Sequence, residues 1–298
     1  MLAVGMPAYV RPGDPLFTLL TDPAVDPPEI VVLNLDHGDG DMRPLDPVAD
    51  ALRARTTATG RPVRVLGYVW TSDLNRRDTG GIYDFSNRSE ADIRTSVDSW
   101  LVRADGAVHY DGIFFDVASP VAEHRDKFLS LRDHVRRRSP SALIVHNAGV
   151  AVAGAYLEPG KRTADIFATF EGGVDVYDTG APPPGTPVDY GYWLGGNVSE
   201  GSTYVLGDRL TSPGTGATGG RPETWAVDPG SFWHLVYDAT AEQTPAIAEL
   251  ARSRHAGVIT VSTAPGPPAN PWVLGPGGAD HLAVLLRCAR GAVGTAAP

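Results

Sequence analysis

Short apolar runs alternate with amphipathic segments along the whole chain, and eight such pairs can be counted. The runs predict strands at Val4–Val10, Ile30–Asn34, Val63–Val69, Gly112–Asp116, Ala142–Asn147, Ile166–Phe170, His234–Tyr237 and Gly257–Val261. Several are nearly continuous in apolar residues, as expected of parallel strands covered on both faces. Between them the pattern switches to helical spacing. Ser89 followed by Asp92 matches a capping box, and Ile93, Val97, Trp100 and Leu101 then share one helical face. Phe128, Leu131 and Val135 repeat this stripe, as do Leu282, Leu285, Leu286 and Ala289 near the end. Eight βα units closing on themselves predict a single (β/α)8 barrel spanning residues 1–298. An open doubly wound sheet is the weaker option, because no glycine-rich dinucleotide fingerprint follows the first strand.

One stretch breaks the rhythm. From Tyr177 to about Gly230 the chain is rich in Gly, Pro, Ser and Thr, with Tyr190, Tyr192, Trp193, Tyr204 and Trp225 interspersed. Coming after the sixth strand, this insertion would emerge on the face where barrels keep their chemistry, either covering a pocket or lying on the surface around a small hairpin at Ser202–Arg209.

Composition narrows the class. A length of 298 residues with 42% hydrophobic positions suffices for one large core. The net charge of −10, without a Lys/Arg-rich block, argues against nucleic acid and anionic membranes as partners. The single cysteine, Cys288, cannot form an internal disulfide and reads as a core thiol in the last helix. No basic leader precedes the first strand, so a cytoplasmic protein is expected, the alternative being a secreted domain whose leader has been removed.

Candidate chemistry collects at predicted strand ends. In Tyr110-Asp-Gly-Ile-Phe-Phe-Asp116, an apolar strand delivers one carboxylate at its carboxyl end, and in Thr169-Phe170-Glu171 the sixth strand does the same. Two acids at such ends can converge across a barrel mouth, which is what glycoside hydrolysis requires. Tyr9, Asn34, Asp36, Tyr68, Trp70, Asp73, His146 and Asn147 stand at comparable positions, and all are types that hydrogen-bond to or stack on sugars. The acidic loop Asn34-Leu-Asp36-His-Gly-Asp39-Gly-Asp41 lacks calcium-loop spacing and reads as a polar turn facing substrate. With no paired histidines, no Gly-x-Ser-x-Gly and no phosphate-cradling loop, no metal or cofactor is expected.

Taken in order, Met6-Pro-Ala-Tyr-Val-Arg-Pro-Gly13, Ile30-Val-Val-Leu-Asn-Leu-Asp36, Val63-Arg-Val-Leu-Gly-Tyr-Val69, Tyr110–Asp116 and Phe170-Glu171 resemble the spherulin-4-like family of TIM barrels, related to endo-galactosaminidases. The resemblance resumes more loosely at Phe232–Tyr237 and Asn270-Pro-Trp272, adding Tyr237 and Trp272, with Trp193 of the insertion, to the candidate sugar-binding residues. It implies hydrolysis of galactosamine-type glycans by Asp116 and Glu171. Where the family has Glu beside the first Asp, this chain has Val117, which neither donates a proton nor attacks carbon. Two other readings therefore stand beside the hydrolase: a sugar-binding barrel without turnover, and an intracellular enzyme acting on a small molecule.

Overall fold

The structure, a computed structural model, describes residues 1–39, 41–71, 88–102, 106, 108–119, 122–149, 152, 154–179 and 227–291. Parallel strands β1 (Ala3–Ala8), β2 (Ile30–Leu33), β3 (Arg64–Trp70), β4 (Gly112–Asp116), β5 (Leu143–Asn147), β6 (Ile166–Gly173), β7 (Phe232–Tyr237) and β8 (Val258–Val261) pair in chain order, and β8 returns to β1 to close the barrel. Around it lie helices α1 (Pro15–Thr21), α2 (Asp46–Arg53), α3 (Glu90–Leu101), α4 (Arg125–Arg138), α5 (Val174–Thr179), α6 (Thr244–Ser253) and α7 (Gly278–Ala289). The expected (β/α)8 barrel is the observed fold. Candidate residues Asp73 and Trp193, the proposed hairpin and the remaining insertion aromatics lie outside the described residues.

Two apolar layers result from strand alternation. Val32, Leu66, Phe114, Val145, Trp233 and Leu235 fill the barrel interior. Val31, Val65, Ile113, Phe115, Ile144 and Phe232 face outward onto the helices, where Trp100, Phe128, Leu131 and Leu285 meet them. Two glycines make this packing possible. A Cβ on Gly5 would lie 2.1 Å from the Trp233 ring, and one on Gly67 2.3 Å from Trp100. The missing side chains let each indole sit flat against a strand. Trp233 donates through Nε1 to Thr260 at 2.9 Å, the Thr260 hydroxyl donates to the Gly5 carbonyl at 2.6 Å, and Trp100 donates to the Tyr68 carbonyl at 2.7 Å.

The helix signals of the sequence are realised. Ser89 Oγ accepts from the Asp92 amide while Asp92 accepts from the Ser89 amide, each at 3.1 Å. The stripes of α4 and α7 are buried, and so is Cys288. One boundary differs. Tyr177, expected to open the insertion, belongs to α5, where it is buried with its hydroxyl 2.8 Å from Nδ1 of His234. An apolar ring with a polar tip suits that inner position.

Candidate active site

Asp116 is the last residue of β4, in register with Trp70 on β3 and Asn147 on β5. Phe114 points into the barrel, so period-two alternation brings Asp116 onto the same inward face. Its Oδ2 accepts from the Tyr68 hydroxyl at 2.6 Å and its Oδ1 from Nδ2 of Asn147 at 2.7 Å.

Glu171 reaches this group by a less regular route. In β6, Ala168 faces inward opposite Trp233, and strict alternation from there would turn Glu171 outward. A register shift between Ala168 and Phe170 leaves Thr169 as an extra residue, so that Phe170 packs in the outer layer and Glu171 faces the interior. Such a bulge re-aims a side chain without ending the strand. Gly149 fits the irregularity from β5: its amide donates to the Ala168 carbonyl at 3.2 Å, and its carbonyl accepts from the Glu171 amide at 3.0 Å.

Both acids meet at one nitrogen. Nδ2 of Asn147 donates to Glu171 Oε2 at 2.6 Å as well as to Asp116, so the two carboxylate oxygens lie no farther apart than the sum of those bonds, 5.3 Å. Burial, and secondarily the charge of Asp116, push the Glu171 carboxyl up to about 7, against hydrogen bonds from Asn147 and Trp272 that favour its charged form. Tyr9 and Tyr68, 5.0 Å apart edge to face, are held well above the usual tyrosine range by burial first and by the charge of Asp116 second, so both remain phenols at neutral pH.

The remaining wall comes from the expected aromatic set. Trp70 and Tyr237 pack on the interior cluster, and Trp272, buried, meets Tyr237 edge to face at 6.1 Å. Asn270 donates to the Tyr9 carbonyl at 2.7 Å and accepts from the Trp272 amide at 2.9 Å, tying the loop after β8 to the first strand. Asn34 is partly buried, and its Oδ1 has no hydrogen-bond partner among the described residues. Asp36 stands exposed on the turn after β2, in left-handed backbone at φ 48°. Asp39 of that loop turns to Ser96 at 2.6 Å and Arg88 at 2.7 Å, which commits it to anchoring the loop. No group of three or more His, Cys, Asp or Glu side chains able to hold a metal occurs among the described residues.

His146 is a correction. It precedes Asn147 by one residue and therefore faces the opposite way, completely buried among Phe115, Phe128 and Phe167 in the outer layer. Burial lowers its imidazole to about 3, so it is a neutral core residue remote from the barrel interior.

Thr71 was not singled out from the sequence. Its hydroxyl donates to the carbonyls of Asp116 and Val117 at 2.7 and 3.0 Å. It thereby braces Val117, a β-branched residue held at φ 52°, where left-handed backbone is costly. Nothing in the sequence of a lone threonine signals that role.

A closed parallel barrel with two carboxylates meeting at the carboxyl ends of its strands defines a glycoside-hydrolase-like barrel. The chain belongs to spherulation-specific family 4, whose model matches residues 3–266. No curated protein matches it. Among solved structures it is similar to Sph3 of Aspergillus clavatus, determined in complex with GalNAc, at 18% identity and a TM-score of 0.60, covering 95% of this chain and 97% of that one. It also aligns with active domain 2 of a thermostable chitinase from Pyrococcus furiosus, at 13% identity and a TM-score of 0.46, covering 100% and 98% of the two chains. At 18% identity the likeness to Sph3 concerns the fold.

Proposed function

We propose that this protein is a retaining glycoside hydrolase acting on an amino-sugar glycan of the galactosamine type. The observation that carries the reading is the pair of carboxylates held at one amide nitrogen, with oxygens within 5.3 Å. Retaining enzymes place their two carboxyls about 5–5.5 Å apart, whereas inverting enzymes need about 6.5–9.5 Å to admit a water.

Roles follow from environment. Glu171, raised to about 7, is protonated in about half of the molecules at neutral pH, and that form serves as the general acid. Asp116, fixed by Tyr68 and Asn147, is the nucleophile. In the first step an Asp116 oxygen bonds to the anomeric carbon as the glycosidic C–O bond breaks, and the departing oxygen takes the Glu171 proton. Esterification then removes the Asp116 charge, which was one cause of the raised Glu171 value, so Glu171 becomes the base. It takes a proton from water, the water oxygen displaces Asp116, and the starting protonation state returns. Tyr9, Asn34, Asp36, Tyr68, Trp70, Tyr237 and Trp272 are the proposed sugar contacts, with Asp73 and Trp193 as further candidates. The sugar class is supported by family membership and by the GalNAc bound to Sph3.

Val117 favours one second reading, a sugar-binding barrel without turnover, because it replaces an acid of the family pattern. Incubation with α-linked galactosamine and N-acetylgalactosamine oligosaccharides separates the two. New reducing ends that disappear in Asp116→Asn and Glu171→Gln support the hydrolase, whereas saturable binding without them supports the binding protein. An enclosed small-molecule site, the third possibility, would leave neither signal.

A further inference from the structure

We propose that Asn147 is a positioning residue that holds Asp116 and Glu171 at a fixed separation and couples their protonation through its single amide nitrogen. Only the kinetic consequence rests on the glycosidase reading. The placement of the amide does not.

Asn147 is 4% exposed, and every polar atom of its side chain is committed. Oδ1 accepts from the Gly149 amide at 3.0 Å, which fixes the orientation of the carboxamide and directs Nδ2 at the acids. Nδ2 has two hydrogens and two carboxylate acceptors, at 2.7 and 2.6 Å. Gly149, in left-handed backbone at φ 66°, is also the residue that bonds across the β6 bulge. One turn therefore orients the amide and supports the strand that presents Glu171.

A carboxylate receiving an N–H bond is favoured in its charged form. Two carboxylates this close disfavour being charged together, and the shared amide offsets part of that repulsion. Its effect on either acid depends on the state of the other. When one carboxyl is neutral, both polarised hydrogens remain aimed at the site and the charged partner receives the stronger bond. Loss of the amide then raises the protonation midpoints of both acids, whereas loss of a simple loop anchor leaves them in place.

Two near-isosteric variants separate these roles. Asn147→Asp retains an oxygen for the Gly149 amide and removes the donor. Asn147→Leu removes both and keeps the space dry. The readout is the carboxyl titration of Glu171 by carbon NMR on glutamate-labelled protein, with the signal assigned by its absence in Glu171→Gln. Both variants are expected to move the Glu171 midpoint upward by about one pH unit or more, Asn147→Asp further because it adds a third carboxyl. On a hydrolysed glycoside both limbs of the pH–kcat/KM profile should shift the same way, with activity falling at least about tenfold. An unmoved midpoint, or wild-type kinetics in Asn147→Asp, overturns the proposal. If the wild-type protein hydrolyses no glycoside, the glycosidase reading fails by itself and the NMR midpoints still decide the role of Asn147. If one variant does not fold, the other decides alone.

Discussion

The Tyr68 hydroxyl donates a 2.6 Å hydrogen bond to Asp116, and its phenol is kept protonated by burial and by that carboxylate. This donor therefore stays in place at every pH at which a glycosidase would work. A hydrogen bond to a charged group contributes about 1.5–3 kcal/mol, so Tyr68→Phe should lower kcat/KM by about 10–10²-fold. The acidic limb of the pH profile should also move upward, because Asp116 loses a bond that favours its charge. Steady-state kinetics across pH checks both, and an unchanged acidic limb would count against Asp116 as the nucleophile.

The two acids should differ in sensitivity to the leaving group. On the proposed roles, Glu171→Gln removes the proton donor, costing about 10²–10⁴ on natural glycosides and far less on aryl glycosides whose leaving group needs no proton. Asp116→Asn should lose both substrates alike. Parallel assays on an aminosugar oligosaccharide and a dinitrophenyl glycoside test the assignment, and reversed sensitivities would exchange the roles.

Stability should fall with rising pH because of Glu171. Its folded value of about 7 lies above the ordinary 4.5, so between these values the folded protein binds a proton that the unfolded chain has released. The contribution is thus fully present below about 4.5 and is lost as pH rises through about 7. Glu171→Gln should remove this dependence and be more stable than wild type at pH 8, with little difference at pH 4. Thermal melts of both proteins at the two pH values measure it.

Val117 should yield stability on substitution. A β-branched residue at φ 52° carries strain of about 1–2 kcal/mol, and Asn tolerates that backbone far better. Val117→Asn is expected to gain about 1 kcal/mol, raising Tm by about 2 °C. A lower Tm would show that packing of the valine outweighs its backbone strain.

The barrel was legible because parallel strands buried on both faces leave nearly continuous apolar runs, and all eight fell within a few residues of their observed positions. Asp116 was legible too, since it ends an unbroken run. Glu171 was placed at a strand end, but its direction was not readable: an alternating count from Ala168 points it outward, and the bulge at Thr169 leaves no mark in the pattern. His146 failed for the complementary reason. Adjacent residues at a strand end face opposite ways, and the sequence does not say which of His146 and Asn147 faces in until β5 is aligned with Asp116.

The bulge also changes what must be preserved for Glu171 to work. Ironing it out would turn Glu171 into the apolar shell beneath the helices and push Phe170 into the barrel interior. Phe170 is completely buried against Tyr177 and His234, an arrangement that contributes about 1.5–3 kcal/mol. The aim of the acid is thus set by the hydrophobicity of its neighbour. A relative could keep both carboxylates and the barrel and still fall silent through a polar residue at position 170.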